Sequence, residues 1–206
     1  MTVRTKRRAI TRADILSLAA YEAVRAQKRA EVRAEKRNRQ IHIGPHATFT
    51  FETYTSMWVQ VHEMLRAEKG GDAQIDDELA AYNPLIPNGR ELAATMMLEI
   101  ESETLRATEL VKLGGIEDAV RLRFAGETVS AVPERDVDRT DETGKTSSVH
   151  FLHFPFTETQ IRAFQAENVE VTLDFTHSRY RHATVLPEET RAALAADFLR
   201  RSCTNR

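Results

Sequence analysis

Apolar and polar residues alternate in short runs from residue 40 onward, which is the pattern of half-buried β-strands. Six segments carry this alternation: "RQIHIG", "ATFTFE", "LAATMMLEI", "AVRLRFAGETVSAVP", "SVHFLHFPF" and "NVEVTLDFTHSRYRHATVLP". Turn residues near 125–127 and 178–179 predict a hairpin within each of the two longest segments. Because hairpins require antiparallel pairing, the strands predict a largely antiparallel sheet.

Helical periodicity appears between these strands and predicts helices over 54–69, 102–112, 157–167 and 188–201. The segment "AAYNPLIPNGRE" is rich in Pro, Asn and Gly, which predicts a compact surface turn. The segment "PERDVDRTDETGKTSS" is charged and poor in apolar residues, which is typical of an exposed loop. Together these elements predict an α+β fold with helices packed on the sheet.

The first 39 residues differ from the remainder in charge. Residues 1–40 hold twelve Lys and Arg against four Asp and Glu, so they carry about +8 and the other 166 residues about −10. The run "TRADILSLAAYEAVRAQKRAEVRAEKRNR" predicts one or two helices, with Thr11 and Asp14 placed as in a capping box. We therefore predict a basic helical arm over 1–39 and a single α+β domain over 40–206.

Composition narrows the class of protein. The chain has 41% hydrophobic and 29% charged residues and no apolar run of the roughly 18 residues that cross a bilayer, so we expect a cytoplasmic protein without membrane contact. Cys203 is the single cysteine, which excludes a disulfide within one chain and metal or cluster sites built from cysteines. A metal here would need His, Asp or Glu ligands.

The predicted helix 54–69 contains a His-Glu pair, "HEMLR", that resembles the start of the zinc-protease pattern HExxH. Arg66 occupies the position of the second histidine, and a cation there would repel the metal. We therefore reject a metalloprotease and expect Glu63 to be structural. Glu68 lies on the extended apolar face of the helix, so it either reaches water at the helix end or binds a ligand.

Histidines recur in the later strands. In "SSVHFLHFPF" His150 shares one face with Leu152 and Phe154, and His177 and His182 approach each other across a predicted hairpin with Tyr180 nearby. Imidazole and carboxylate without cysteine is the ligand set of non-haem iron, manganese or zinc. The candidate divalent-metal pocket consists of His46, Glu68, His150, His177 and His182. Each histidine taken singly is more often a hydrogen-bonded structural residue, so that alternative stays open.

Five ordered motifs, "RNRQIHIGPHATFTFE", "VQVHEMLRAE", "ELAAYNPLIPNG", "KTSSVHFLHF" and "HSRYRHATVLP", resemble a bacterial family of uncharacterised proteins, a domain of unknown function. The resemblance runs from about Thr11 to about Ala196. It implies gene neighbours that include rubrerythrin-like proteins and iron-sulfur oxidoreductases, and hence a redox or oxidative-stress setting. The family pattern implies Gln at position 62 and Arg at position 153, so His62 and His153 are departures from it.

These observations lead to three functional hypotheses. The first is a cytoplasmic metal-binding or accessory protein of a bacterial redox system. The second is a non-catalytic protein that docks to an oxidoreductase through its basic arm. Nucleic-acid binding is the third and weakest, because no aromatic residue is interleaved with the basic ones and the acidic remainder would repel the ligand. No phosphate loop or nucleophile motif is present, so no catalytic residue is predicted.

Overall fold

A computed structural model of the chain describes residues 7–134, 139–140 and 144–199. Within these ranges it contains six α-helices and two antiparallel sheets, which confirms the predicted α+β class. The helices are α1 (Leu18–Lys36), α2 (Tyr54–Glu68), α3 (Gln74–Tyr82), α4 (Glu103–Lys112), α5 (Glu158–Gln165) and α6 (Glu188–Ala195). The strands are β1 (Gln40–Ile43), β2 (Ala47–Phe51), β3 (Glu91–Leu98), β4 (Val120–Phe124), β5 (Glu127–Ser130), β6 (Val132–Pro133), β7 (Val149–Pro155), β8 (Val171–Phe175) and β9 (Ala183–Val185).

The strands form two sheets that pack through one hydrophobic core. The five-stranded sheet has the order β1-β2-β3-β7-β6 and the four-stranded sheet the order β5-β4-β8-β9. Alternate residues of both sheets enter the shared core, where Phe49 of β2 meets Phe175 of β8 at a ring distance of 5.7 Å. The strands separate into two sheets because, among the described strands, β4 pairs only with β5 and β8, whereas β7 pairs with β3 and β6.

Helices cover the other face of the five-stranded sheet. Met57 and Val61 of α2 are buried against a second apolar cluster that includes Phe151 of β7, as the predicted helical face requires. Helix α1 then packs on α2. The layers are therefore helix α1, helices α2 and α3, the five-stranded sheet and the four-stranded sheet.

Local signals in the sequence place several boundaries well. The β4–β5 hairpin turns at Ala125 and Gly126, whose φ angles of 48° and 77° are those of a tight hairpin turn, as predicted. Thr157 caps α5 and Gln160 completes the predicted capping box. Thr11 and Asp14 also form one, but it closes a short turn over Arg12–Asp14, and α1 begins at Leu18 after the cap Ser17.

Helix α3 was not predicted from the sequence. Its N-cap residue makes no side-chain hydrogen bond, and Glu78 is the one residue of the helix that is fully buried. The sequence of α3 therefore shows neither an N-capping residue nor a stripe of apolar residues from which a helix could be predicted. The compact turn expected over 80–91 begins inside this helix and continues as a short helical turn, Asn83–Leu85.

The segment before α1 contacts the rest of the protein. Asn83 accepts a hydrogen bond from the Ile10 amide (2.7 Å) and donates one to the Ile10 carbonyl (3.0 Å), and the Ile10 side chain is buried. The division into an arm and a domain at residue 39 stays a prediction. Helix α6 ends at Ala195, before the end predicted at residue 201, and Cys203 lies outside the described residues. Across the described ranges, no helix is both long and apolar enough to cross a membrane.

Candidate functional site

Two of the predicted metal ligands are occupied by other contacts. Glu68 is exposed at the last residue of α2, where its carboxylate accepts a hydrogen bond from the Gln74 amide (2.8 Å). His177 uses both ring nitrogens, because Nε2 donates to the Gly114 carbonyl (3.3 Å) and Nδ1 accepts from the Arg179 amide (3.3 Å). Both side chains are therefore engaged in hydrogen bonds with residues outside the predicted ligand set.

The rings of His46 and His182 lie 6.5 and 4.5 Å from the ring of Tyr180. The Tyr180 hydroxyl is buried and accepts hydrogen bonds from the amides of His46 (3.0 Å) and Ala47 (2.9 Å). It donates to the Ile43 carbonyl (2.7 Å), and burial raises its pKa. Tyr180 thus closes the β1–β2 turn and lies against the His182 ring, as the sequence predicted.

His150 is fully buried and shares its face of β7 with Leu152 and Phe154, as the alternation of "SSVHFLHFPF" predicts. Its Nε2 lies 2.9 Å from the Ser147 carbonyl and 3.2 Å from the Thr146 hydroxyl. Within the part of the chain that the structure describes, its Nδ1 has no hydrogen-bond partner, and it lies 3.9 Å from a carboxylate oxygen of Glu117. Burial lowers the pKa of His150, and the nearby Glu117 carboxylate opposes this effect. Because the Ser147 carbonyl can only accept, Nε2 carries a proton, and Nδ1 faces Glu117.

Glu117 is a buried partner that sequence reasoning missed. It lies in a short helical turn, Ile116–Ala119, and is only 8% exposed. In the sequence "GGIEDAV" its charge is typical of a surface residue, and no local signal indicated burial. Within the described ranges, no three His, Cys, Asp or Glu side chains form a group that could hold a metal ion. The five-residue metal pocket therefore stays a prediction, and its members have separate surroundings.

Glu63 joins helices α1 and α2. Its carboxylate accepts two hydrogen bonds from the Arg25 guanidinium (2.7 and 2.8 Å) and one from the Tyr21 hydroxyl (2.7 Å). Arg25, aided by Tyr21, lowers the pKa of Glu63 to about 2 although partial burial opposes this. The carboxylate is therefore ionised and saturated with donors, as its expected structural role requires.

The outward face of α1 is basic. On the inward side, Arg25 pairs with Glu63, and Lys28 pairs with Glu31 (2.8 Å). Towards the end of α1 four further cations are exposed, and among the described residues none of them forms an ion pair with a carboxylate, although the charge of Arg29 helps Arg25 to lower the pKa of Glu63. They are Arg29, Arg33, Lys36 and Arg37. We call these four residues the α1 basic face. A row of exposed alanines, among them Ala23, Ala26 and Ala30, lies beside it and leaves the helix surface smooth.

A cleft of about 1120 Å³ lies along the other edge of α1, beside Tyr54 and Trp58. Its charged groups are mostly paired with one another. Arg39 binds Asp197 through a buried pair at 2.7 Å, and Lys28 is held by Glu31. Positive and negative groups line the cleft in equal number, so its charge selects neither anions nor cations.

Comparisons with known proteins place the chain among uncharacterised relatives. A family described as "Protein of unknown function (DUF3501)" matches residues 9–198. A crystal structure of a novel protein of unknown function from Burkholderia pseudomallei K96243 is similar to this chain with 39% identity and a TM-score of 0.85. The similarity covers 92% of this chain and 99% of that one. No curated protein matches.

Proposed function

We propose, from the premise that the chain belongs to the DUF3501 family of proteins of unknown function, that it is a docking protein. It binds an acidic partner protein through the α1 basic face. The observation that supports this proposal is that Arg29, Arg33 and Lys36 of α1 and its C-cap residue Arg37 are all exposed and form no ion pair with a described carboxylate.

The helix that carries these cations is held in place before any partner arrives. Glu63 binds both Arg25 and Tyr21 of α1, and Tyr21 is 1% exposed. A preorganised surface loses less conformational freedom on binding, so more of the interaction free energy appears as affinity. Complementary charge also accelerates encounter and weakens with salt, which gives the proposal an experimental signature.

The sequence resemblance suggests which partner to test. We propose that the partner is a rubrerythrin-like or iron-sulfur oxidoreductase protein of the same bacterium and that both act in the cytoplasm, in a redox or oxidative-stress system. The resemblance alone supports this part of the proposal. The basic face on α1 supports only the sign of the partner's charge.

Point substitutions test the docking proposal better than deletion of residues 1–39. Deletion would remove the buried side chains of Ile10 and Tyr21 and uncover the apolar surface of α2. The test variant is Arg29→Gln/Arg33→Gln/Arg37→Gln. The matched control is Arg162→Gln/Arg179→Gln/Arg181→Gln, which removes the same charge from exposed positions elsewhere.

Binding of each immobilised variant to the two recombinant candidate partners is measured at 50, 150 and 500 mM NaCl. Exposed ion pairs contribute about 0.2–1 kcal/mol each, so losing three should weaken binding about 3-fold to 100-fold at low salt. The control should bind like the wild type. Equal weakening by both variants, or binding independent of salt, would contradict docking through α1. Salt-sensitive binding of a labelled oligonucleotide, with no binding of either protein, would favour nucleic acid instead.

A second candidate function is divalent-metal binding at His150 and Glu117. The observation that favours it is the buried Nδ1 of His150, which has no hydrogen-bond partner and faces the Glu117 carboxylate at 3.9 Å. Iron, manganese and zinc each accept this donor pair. The test is titration of tag-free protein with Fe²⁺, Mn²⁺ and Zn²⁺, alongside Glu117→Gln and His46→Ala/His182→Ala. Binding of less than about a tenth of an equivalent of metal per chain would contradict this candidate. So would binding that is lost in His46→Ala/His182→Ala but kept in Glu117→Gln.

A further inference from the structure

His62 is a buried histidine whose two ring nitrogens have opposite hydrogen-bond roles. Its Nδ1 lies 2.8 Å from the carbonyl oxygen of Trp58, which can only accept, so Nδ1 carries the proton. Its Nε2 accepts a hydrogen bond from the Leu16 amide at 3.0 Å. The side chain is 2% exposed. This arrangement requires a neutral ring, because a protonated Nε2 could not accept the Leu16 bond.

The Leu16 amide lies one residue before Ser17, the N-cap of α1. The neighbouring residue Trp58 holds the same segment, because its indole N–H donates to the Asp14 carbonyl at 2.9 Å. His62 contacts the Trp58 ring at 3.9 Å and stacks on the Tyr21 ring at 4.7 Å. One cluster on α2 therefore fixes both the entry to α1 and its first turn.

The charged groups around His62 are already paired, so they do little to stabilise an imidazolium there. On α2, Glu63 is saturated by Arg25 and Tyr21, and Arg66 binds Glu22 of α1 at 2.5 Å. In the segment before α1, the carboxylate of Asp14 is bound by Arg7 and Thr11. Lys28 of α1 lies 6.0 Å from the Trp58 ring centre and is itself paired with Glu31. Among the described residues, a proton on His62 would gain no free carboxylate partner, and it would remove the acceptor of the Leu16 bond.

We propose that His62 is a pH-sensitive latch for the start of α1 and that acidification releases this segment from α2. The inference rests on the proposed function in one respect: because α1 carries the docking face, release of the latch would weaken docking. The latch itself is a property of the free protein and can be measured without a partner.

The direction of the pH effect follows from burial. Burial lowers the pKa of His62, opposed in part by its hydrogen bond to the Trp58 carbonyl. His62 therefore binds a proton more readily when the segment is released or the chain is unfolded than when the latch is closed. The latch is intact above the ordinary histidine pKa of about 6.5 and is lost as pH falls below it through the lowered pKa.

The experiment compares the full chain with His62→Gln and His62→Ala between pH 7.5 and pH 5. Glutamine is the matched control, because its amide oxygen can accept the Leu16 bond and does not titrate. Hydrogen exchange of peptides covering residues 10–22 is measured after correction for intrinsic exchange rates. Fluorescence gives a second readout, since Trp58 is the only tryptophan of the chain and lies against His62.

In the wild type, exchange at residues 16–21 should rise at least fivefold from pH 7.5 to pH 5, with a parallel change in Trp58 emission. His62→Gln should stay protected across this range, and His62→Ala should exchange rapidly at both ends. The same pH dependence in wild type and His62→Gln would overturn the latch, as would a wild type that stays protected at pH 5.

A measurement on the unsubstituted chain keeps the test independent of how the variants fold. Nitrogen-15 shifts of the His62 ring should show the proton on Nδ1 at pH 7.5, and a proton on Nε2 at that pH would overturn the proposal. Loss of partner binding in the α1 triple variant tests docking, whereas the exchange data use no partner. Failure of either proposal can therefore be told from failure of the other.

Discussion

Replacing Tyr180 with phenylalanine removes one oxygen that makes three hydrogen bonds to the backbone. The hydroxyl accepts from the amides of His46 and Ala47 and donates to the carbonyl of Ile43, at 2.7–3.0 Å. Tyr180 is 3% exposed and its ring packs against Phe175 at 5.0 Å. Phenylalanine keeps this packing, so the substitution isolates the hydrogen bonds.

The expected loss is large because backbone groups at the β1–β2 turn lose their partner. A buried polar group left without a hydrogen bond costs about 1–3 kcal/mol, and the half-buried position of His46 lets water replace part of that loss. We therefore expect Tyr180→Phe to lower the free energy of unfolding by about 2–4 kcal/mol. For a chain of this size each kcal/mol lowers Tm by about 2–4 °C, so Tm should fall by roughly 4–16 °C.

The assay is urea unfolding followed by circular dichroism, with Tm by calorimetry. Tyr82→Phe is the matched control, because the Tyr82 hydroxyl has a single long contact, 3.4 Å to the Gln60 amide. The control should change the free energy of unfolding by less than about 1 kcal/mol. If Tyr180→Phe stayed within about 0.5 kcal/mol of the wild type, the hydroxyl would not be closing the turn and this reasoning would fail.

Three further substitutions test other contacts by the same unfolding assay. Gly44→Ala should be strongly destabilising, because φ is 63° and a Cβ would lie 2.6 Å from the His182 ring. Gly126→Ala is the control: φ is 77° but the space around it is open, so only the backbone cost of about 1 kcal/mol is expected. Equal losses of stability in the two variants would refute the steric argument. Glu63→Gln should cost about 1–2 kcal/mol at pH 7. Since the pKa of Glu63 is lowered to about 2, the stability that its ionised form contributes is present above about pH 4.5 and is lost as pH falls toward 2. The difference in stability between Glu63→Gln and the wild type should therefore shrink at pH 2–3. An undiminished difference would contradict the role given to the ionised carboxylate. Thr157→Ala should cost about 1 kcal/mol through loss of the α5 cap, and a neutral result would show that the cap contributes nothing.

Features with local physical causes were predictable from the sequence. Alternation along β7 correctly placed His150 on one face with Leu152 and Phe154, since neighbouring side chains of a strand point to opposite sides. The Ala125-Gly126 turn and the Thr157 cap also depend on residues within four positions of one another. Each of these signals is complete within a short stretch of chain.

Features that depend on distant pairing were not predictable. The ring of His177 is directed by the carbonyl of Gly114, 63 residues earlier, and Tyr180 binds backbone groups more than 130 residues away. The burial of Glu117 and the separation of the strands into two sheets likewise follow from which strands pair. A single sequence does not show which distant segments pair. Whether the predicted ligands lie close together could therefore not be inferred from it.

Hydrogen bonding of the ring nitrogens separates histidines that hold the fold from those able to bind a metal, because a ligand nitrogen must offer a free lone pair. His62 and His177 use both nitrogens within the protein. His153 lies between Glu91 and Glu134, which raise its pKa against the effect of burial and favour the protonated ring. His150 commits Nε2 to the Ser147 carbonyl and leaves Nδ1 without a hydrogen bond, 3.9 Å from Glu117. The proposed metal can therefore be bound by His150 only through Nδ1, which makes Glu117→Gln the substitution that distinguishes binding there from binding at exposed histidines.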